Sequence, residues 1–197
     1  MQEMIVSKSA PTKDDYTYDD YLAIDDDNRY EIIEGELVLT PSPGIIHQHI
    51  AAKIETVIRN FVEQSNLGMV MGAPLDVVLD KNVVLQPDVL FVSRERYHII
   101  TAACLKGGPD LVVEVISSSS GVRDRIKKSR IYRHYGVKEY WLVDPGAGTV
   151  EVLSEGDRGW YLAGAYDEEE ILTSSLLPGL QVKLKEIFTL PEGLVLE

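Results

Sequence analysis

Leu111-Val112-Val113-Glu114-Val115-Ile116 carries five strongly apolar residues and one acid. A run of this length and composition predicts a central strand covered on both faces. Glu114 stands in its middle. An unpaired carboxylate there costs several kcal/mol or stays protonated. The strand therefore calls for a partner: a metal, a Lys or Arg, or a substrate.

Val83–Val92 poses the same question, with Asp88 as the single acid in an apolar run. Pro87 just before it removes a ladder donor, so the strand is irregular or at an edge there. Two acids on adjacent strands place two carboxylates a few ångströms apart. Like charges that close do not both ionise unless a cation lies between them. Hard divalent cations such as Mg²⁺ take oxygen ligands and keep several waters.

A basic helix, Val122–Tyr135, begins a few residues beyond the Glu114 strand. Its N-terminal half must lie near the carboxyl end of that strand. Lys127 and Lys128 sit on its second turn, and either could reach back over the carboxylates. Lys128 shares a face with Tyr132 at i+4. A cation there would stabilise charge developing on a phosphoryl group. Taken singly, Asp88 reads as a turn residue and Lys128 as part of a solvated face, and Pro109-Asp110 reads as a turn. Taken together, two acids in apolar strands beside a basic helix read as a site.

Working outward, Thr17 with Asp20 resembles a capping box that opens a short helix through Leu22. Tyr30–Thr40 reads as a hairpin turning at Glu34-Gly35. Residues 45–65 are helical, with Ile50, Ile54, Ile58 and Phe61 at helical spacing. Strands are expected at Met69–Leu79, Val83–Val92 and Leu111–Ser117, with a weakly periodic connection Ser93–Pro109 between the last two. Ser117–Gly121 is a small-residue loop. After the basic helix come Glu139–Val143, a hairpin of Val150–Leu153 with Trp160–Ala165, then Gln181–Leu184 and a short final helix or turn. The fold class is α/β (mixed α+β), one central mixed sheet flanked by helices, with added N- and C-terminal hairpins. Residues 1–15 read as a frayed terminus and 16–197 as one domain.

The 197 residues are 45% hydrophobic and carry one cysteine, Cys104, so no intrachain disulfide forms. With no apolar leader and no run long enough to span a bilayer, a cytoplasmic protein with no membrane partner is expected. The net charge of −13 argues against nucleic acid. Yet Arg123–Lys138 holds seven bases and one acid, Asp124, whereas Lys13–Glu36 holds ten acids and two bases. A basic face in an acidic body admits a polyanion only where that face is presented.

Several segments together resemble a known family. They are Tyr30–Leu37, Gln86-Pro87-Asp88-Val89, Pro109–Ser117, Asp124 with Lys128 and Tyr132, and Gly136–Pro145. In order and spacing they are similar to the Uma-type restriction endonucleases of the PD-(D/E)xK nuclease superfamily, from about Tyr16 to the chain's end. The resemblance implies a restriction-endonuclease-like core. Asp88 takes the place of the PD acid and Glu114 that of the (D/E). Both would bind Mg²⁺, with Mn²⁺ as a substitute, joined by the backbone carbonyl of Val115. The motif lysine is missing, since Ile116 stands two residues after Glu114. Lys128, now on the helix, matches the family position, which Lys127 does not.

The expected catalytic set is Asp88, Glu114 and Lys128. His47, which matches a family position, is expected to bind substrate with Arg123 and Lys127. Glu31 and Tyr132 are expected behind them, although Glu31 could equally pair with Arg29. The function implied is metal-dependent hydrolysis of DNA phosphodiesters. The alternative is a catalytically inactive nuclease-fold protein acting as a nucleic-acid-binding or assembly module. A two-carboxylate glycosidase ranks last, because few aromatics lie near either acid. A homodimer would use the Tyr140–Val143 strand and the tail hairpin with Trp160 and Tyr161, unless those aromatics are core.

Overall fold

The computed structural model describes residues 15–116 and 121–194, without the side chains of 121–124. Residues 1–14 of the expected frayed terminus (1–15), the Ser117–Ser120 loop, and the side chains of Arg123 and Asp124 lie outside the described residues. In chain order the elements are α1 (Tyr18–Leu22), β1 (Arg29–Ile33), β2 (Glu36–Thr40), α2 (Ile45–Gln64), β3 (Gly68–Gly72), β4 (Val77–Asp80), β5 (Val83–Leu85) and β6 (Val89–Ser93). A 3-10 turn (Arg94–Ile99) leads to β7 (Leu105–Lys106), β8 (Leu111–Val115), α3 (Gly121–His134) and β9 (Glu139–Asp144). The tail supplies β10 (Thr149–Gly156), β11 (Gly159–Asp167), β12 (Ile171–Thr173), β13 (Gln181–Lys183) and α4 (Leu184–Phe188).

The mixed α/β class holds, but the strands divide between two main sheets rather than one. A five-stranded sheet runs β2-β1-β5-β4-β7 and a six-stranded sheet runs β11-β10-β9-β8-β6-β3, with β12-β13 as a separate pair. Both main sheets are mixed, because β8–β9 and β4–β7 are parallel. Prolines cause the division. The expected strand Met69–Leu79 breaks at Ala73-Pro74 into β3 and β4. The expected strand Val83–Val92 breaks at Gln86-Pro87-Asp88 into β5 and β6. A proline has no N–H to give a ladder, so each break lets the chain leave one sheet for the other.

Local rules explain the remaining joints. Thr17 and Asp20 form the reciprocal capping box. Glu34 and Gly35 both have positive φ, as a two-residue hairpin turn requires. Gly136, at φ +77, ends α3, where Val137 N–H bonds back to the Tyr132 carbonyl at 3.0 Å.

The six-stranded sheet is covered on both faces. On one, Ile50, Ile54, Ile58 and Val62 of α2 pack on Val89, Leu111, Val113 and Val115. On the other, Ile131 and Tyr132 of α3 pack on Val112, Tyr140 and Leu142, together with Ile33, Val83 and Leu85 of the five-stranded sheet. The alternation along β8 puts Leu111, Val113 and Val115 under α2, and so turns Glu114 toward α3. Tyr140 and Trp141 are core, so that strand is no interface, whereas Tyr161 on the edge strand β11 is half exposed. Among the described residues no helix is long and apolar enough to cross a membrane.

Two buried acids anchor this frame. Glu139 accepts from Trp141 Nε1 at 2.8 Å, from Ser174 Oγ at 2.6 Å and from Ser175 N–H and Oγ, tying the tail to β9. Asp110 is no turn residue, as its sequence context had suggested. It is fully buried, accepts from Ser93 N–H at 2.8 Å and pairs with Lys138 at 2.7 Å and Arg96 at 3.4 Å. Burial pushes its carboxyl up, but Lys138, Ser93 and Arg96 outweigh that and hold it below the usual range. Asp110→Ala would orphan the Ser93 N–H and should cost about 1–3 kcal/mol, read as a lower urea midpoint at unchanged slope. Because the folded value is depressed, the wild-type advantage should be present above the unfolded value near 3.8 and be lost as pH falls from there through the lower folded value.

Candidate active site

The chain crosses from the five-stranded to the six-stranded sheet at Gln86-Pro87-Asp88. Val89 pairs with Val113, so Asp88, one residue earlier, falls beside Glu114. Val115 N–H donates to Asp88 Oδ2 at 2.7 Å, which pins that carboxylate. On the first turn of α2, His47 brings Nε2 to 3.1 Å from the same oxygen. Both groups point where the helix N-terminus adds partial positive charge.

From the α3 side, Lys128 Nζ lies 2.9 Å from Glu31 Oε1 and 3.2 Å from Glu114 Oε1. Tyr132, one turn on, donates to the same Glu114 oxygen at 2.6 Å. Glu31 projects from β1, is buried, and also accepts from Gln86 N–H at 2.8 Å. The competing expectation, an ion pair of Glu31 with Arg29, is not found among the described residues. Lys128 is thus a bridge between sheets: Glu31 belongs to one and Glu114 to the other.

The protonation states follow from this crowding. Burial pushes the Glu114 carboxyl up; Lys128 and the Tyr132 hydroxyl pull it down, and the Asp88 and Glu31 charges add to the rise, leaving it at about 7. Burial opposes the Lys128 charge, but Glu114 and Glu31 overcome it, so the ammonium is held protonated. Burial likewise opposes a His47 imidazolium. The Asp88 hydrogen bond and charge, then the Glu114 charge and the Val115 backbone, outweigh it and raise His47 above its ordinary value.

These groups line a cavity of about 540 Å³ roofed by the Thr40–Gly44 loop. Three carboxylates converge on one lysine and one histidine, an excess of negative charge in a half-enclosed space. Among the described residues Asp88 Oδ1 and Glu114 Oε2 have no protein partner, while the second oxygen of each is already taken. Hard oxygen donors of this kind suit a divalent cation. No three His, Cys, Asp or Glu side chains form a ready cage among the described residues. A cation would rest on the two carboxylates, backbone oxygen and water, as Mg²⁺ commonly does.

Asp88, Glu114, Val115, Lys128, His47, Glu31 and Tyr132 therefore come together. Lys127 does not: it lies about 100° round the helix from Lys128 and pairs with Glu36 at 3.3 Å. Arg123 has its side chain outside the described residues. Sequence reasoning named Gln86 within the family segment but gave it no role. Its side chain donates to Asp76 at 2.7 Å and to the Tyr21 hydroxyl at 3.3 Å, and its backbone holds Glu31. The available signal was its place directly before the Pro-Asp pair.

A family model described as "Uma2: Putative restriction endonuclease" matches residues 17–185. The chain belongs to the Uma2 family. A crystal structure described as that of a putative nuclease belonging to DUF820 from Anabaena variabilis shares the fold, with a TM-score of 0.72 at 20% identity, over 87% of this chain and 97% of that one. No curated protein matches. For this Uma2 chain, the family's description supports a nuclease function.

The raised Glu114 value makes a stability prediction for the metal-free protein. Its folded value lies above its unfolded one, so stability is fullest below about 4.5 and is lost as pH rises through about 7. Glu114→Gln removes the buried charge while Glu31 still holds Lys128. The variant should melt higher than wild type at pH 8, by a few degrees, and gain less at pH 5. An equal shift at both pH values would sink this account of Glu114.

Proposed function

We propose that this Uma2 protein is a cytoplasmic, divalent-metal-dependent endonuclease that hydrolyses phosphodiester bonds of DNA. The observation that carries the reading is the Lys128 ammonium at 3.2 Å from Glu114. Ile116 occupies the usual lysine position of the motif, and the charge arrives instead from α3, one turn before Tyr132. A structural ion pair alone would not call for a second acid at Asp88, nor for an open cavity beside it.

Asp88, Glu114 and the Val115 carbonyl would hold the cation, Mg²⁺ or Mn²⁺. Bound there, it supplies Lewis-acid stabilisation of the charge that develops on a phosphodiester. Lys128, fixed by Glu31, is the residue placed to meet that same charge. Tyr132 orients Glu114, and His47 holds Asp88 from the α2 side. The walls of the cavity keep the groups partly dry, which strengthens each of these interactions. Cutting both strands of a duplex calls for two copies, and the exposed Tyr161 and Leu162 of β11 are the surface for a homodimer.

Cleavage of supercoiled and single-stranded DNA with Mg²⁺ or Mn²⁺ tests the reading. Asp88→Ala, Glu114→Ala and Lys128→Ala should each lower the rate by about 10²-fold or more. Activity that survives Glu114→Ala would refute the site. A pure wild type inert with every metal would leave the nucleic-acid-binding or assembly module as the better reading.

A further inference from the structure

Beyond the catalytic cavity, a second one of about 600 Å³ opens against the C-terminal half of α3. Arg130, Arg133, His134, Tyr135 and Trp160 line it, with Glu34 as its one acid. Its cations differ from the others of the basic segment. Among the described residues Arg125 pairs with Glu151, Lys127 with Glu36, Lys128 with Glu31 and Glu114, and Lys138 with Asp110. Arg130 and Arg133 have no carboxylate partner among them, in a chain whose net charge is −13.

The aromatic wall is fixed in place. Trp160 Nε1 donates to the Ser129 carbonyl at 2.8 Å, and the indole sits 6.3 Å from the Tyr140 ring, leaving part of its surface open to the cavity. The Arg133 guanidinium lies against Gly159, 3.7 Å from where a Cβ there would stand. Lys127, Arg130 and His134 recur at i, i+3 and i+7, so they share one outer stripe of α3. At 1.5 Å per residue, Lys128 and Arg133 are about 8 Å apart along the axis. At 100° per residue they also stand about 140° apart round the helix, so a strand joins the two cavities by passing round α3 and not straight along it.

We propose that this cavity is a second binding site for a nucleic-acid strand, in which Arg130 and Arg133 take backbone phosphates and Trp160 offers a base a stacking face. Unpaired guanidinium groups beside a rigid indole match phosphate and base together, the pairing used for single strands. The inference rests on the nuclease reading and names the track along which its substrate lies.

The test is anisotropy of a labelled single-stranded oligonucleotide, in EDTA to prevent cleavage, for wild type and Arg130→Ala/Arg133→Ala. Both arginines are exposed, so the fold is not at risk; a thermal melt checks this. The double variant should bind about tenfold or more weakly at low salt, and its salt slope should fall by about 1.4, for two lost phosphate contacts. Oligonucleotide should quench Trp160 fluorescence in wild type. Hydrolysis of bis(p-nitrophenyl) phosphate with Mn²⁺, which needs only the catalytic cavity, should be unchanged in the variant. Unchanged affinity and slope in the variant, with normal hydrolysis, would overturn the second site alone. A wild type that neither binds the oligonucleotide nor hydrolyses the small diester would overturn the nuclease reading and this track with it.

Discussion

One ammonium group joins the two halves of this molecule. Lys128 Nζ sits 2.9 Å from Glu31 in the five-stranded sheet and 3.2 Å from Glu114 in the six-stranded sheet. Each of the three is nearly buried, so the ion triad must recover a large desolvation cost. Lys128 can balance only one of the two carboxylates. Adding Asp88 makes the deficit larger. The surplus negative charge is carried in part by raising Glu114 to about 7, and in part by holding His47 above its ordinary value. A site in this state is electrostatically strained in a definite direction: it favours an added cation.

The backbone creates the place where that strain is held. Proline at 74 and at 87 stops a strand and sends the chain to the other sheet. The Gln86–Asp88 crossing leaves Asp88 at the very start of β6 rather than within it. One Asp88 oxygen closes the last ladder position through Val115 N–H, and the other has no partner among the described residues. Helix α2 covers one face and α3 the other, so His47 and Lys128 approach the two acids from opposite sides. Far from the site, Asp110 and Glu139 hold the strands that flank it by satisfying buried donors. The same residue type thus serves two ends. Where donors saturate the carboxylate it is an anchor, and where a free oxygen faces a cavity it is a candidate ligand.

Charge distribution along α3 follows the same logic. Among the described residues the acidic body neutralises Arg125, Lys127 and Lys128, and the two arginines that remain, Arg130 and Arg133, lie toward the C-terminal end of α3 beside an indole. Net charge therefore says little about which surface meets a polyanion; local pairing decides it.

Much of this was legible in the chain itself. The apolar runs around Glu114 and Asp88 demanded partners because a buried charge is costly, and that demand needs no coordinates. The capping box at Thr17, the hairpin at Glu34-Gly35, the helix 45–65 and the basic helix were all readable from local chemistry. What stayed hidden depended on contacts between segments far apart in sequence. Asp110 reads as a turn because Ser93, Arg96 and Lys138 meet it only in the fold. Helix position alone leaves Lys127 and Lys128 equivalent; the family resemblance selected Lys128, and the packing of Ile131 and Tyr132 supplies the physical reason by setting which side of α3 faces inward. One expected sheet became two because a proline's missing donor predicts a break but not where the chain goes next. Sequence by itself determined which residues could not be left alone; tertiary structure decided which neighbours they found, because burial and register are properties of the packed sheets and not of any one strand.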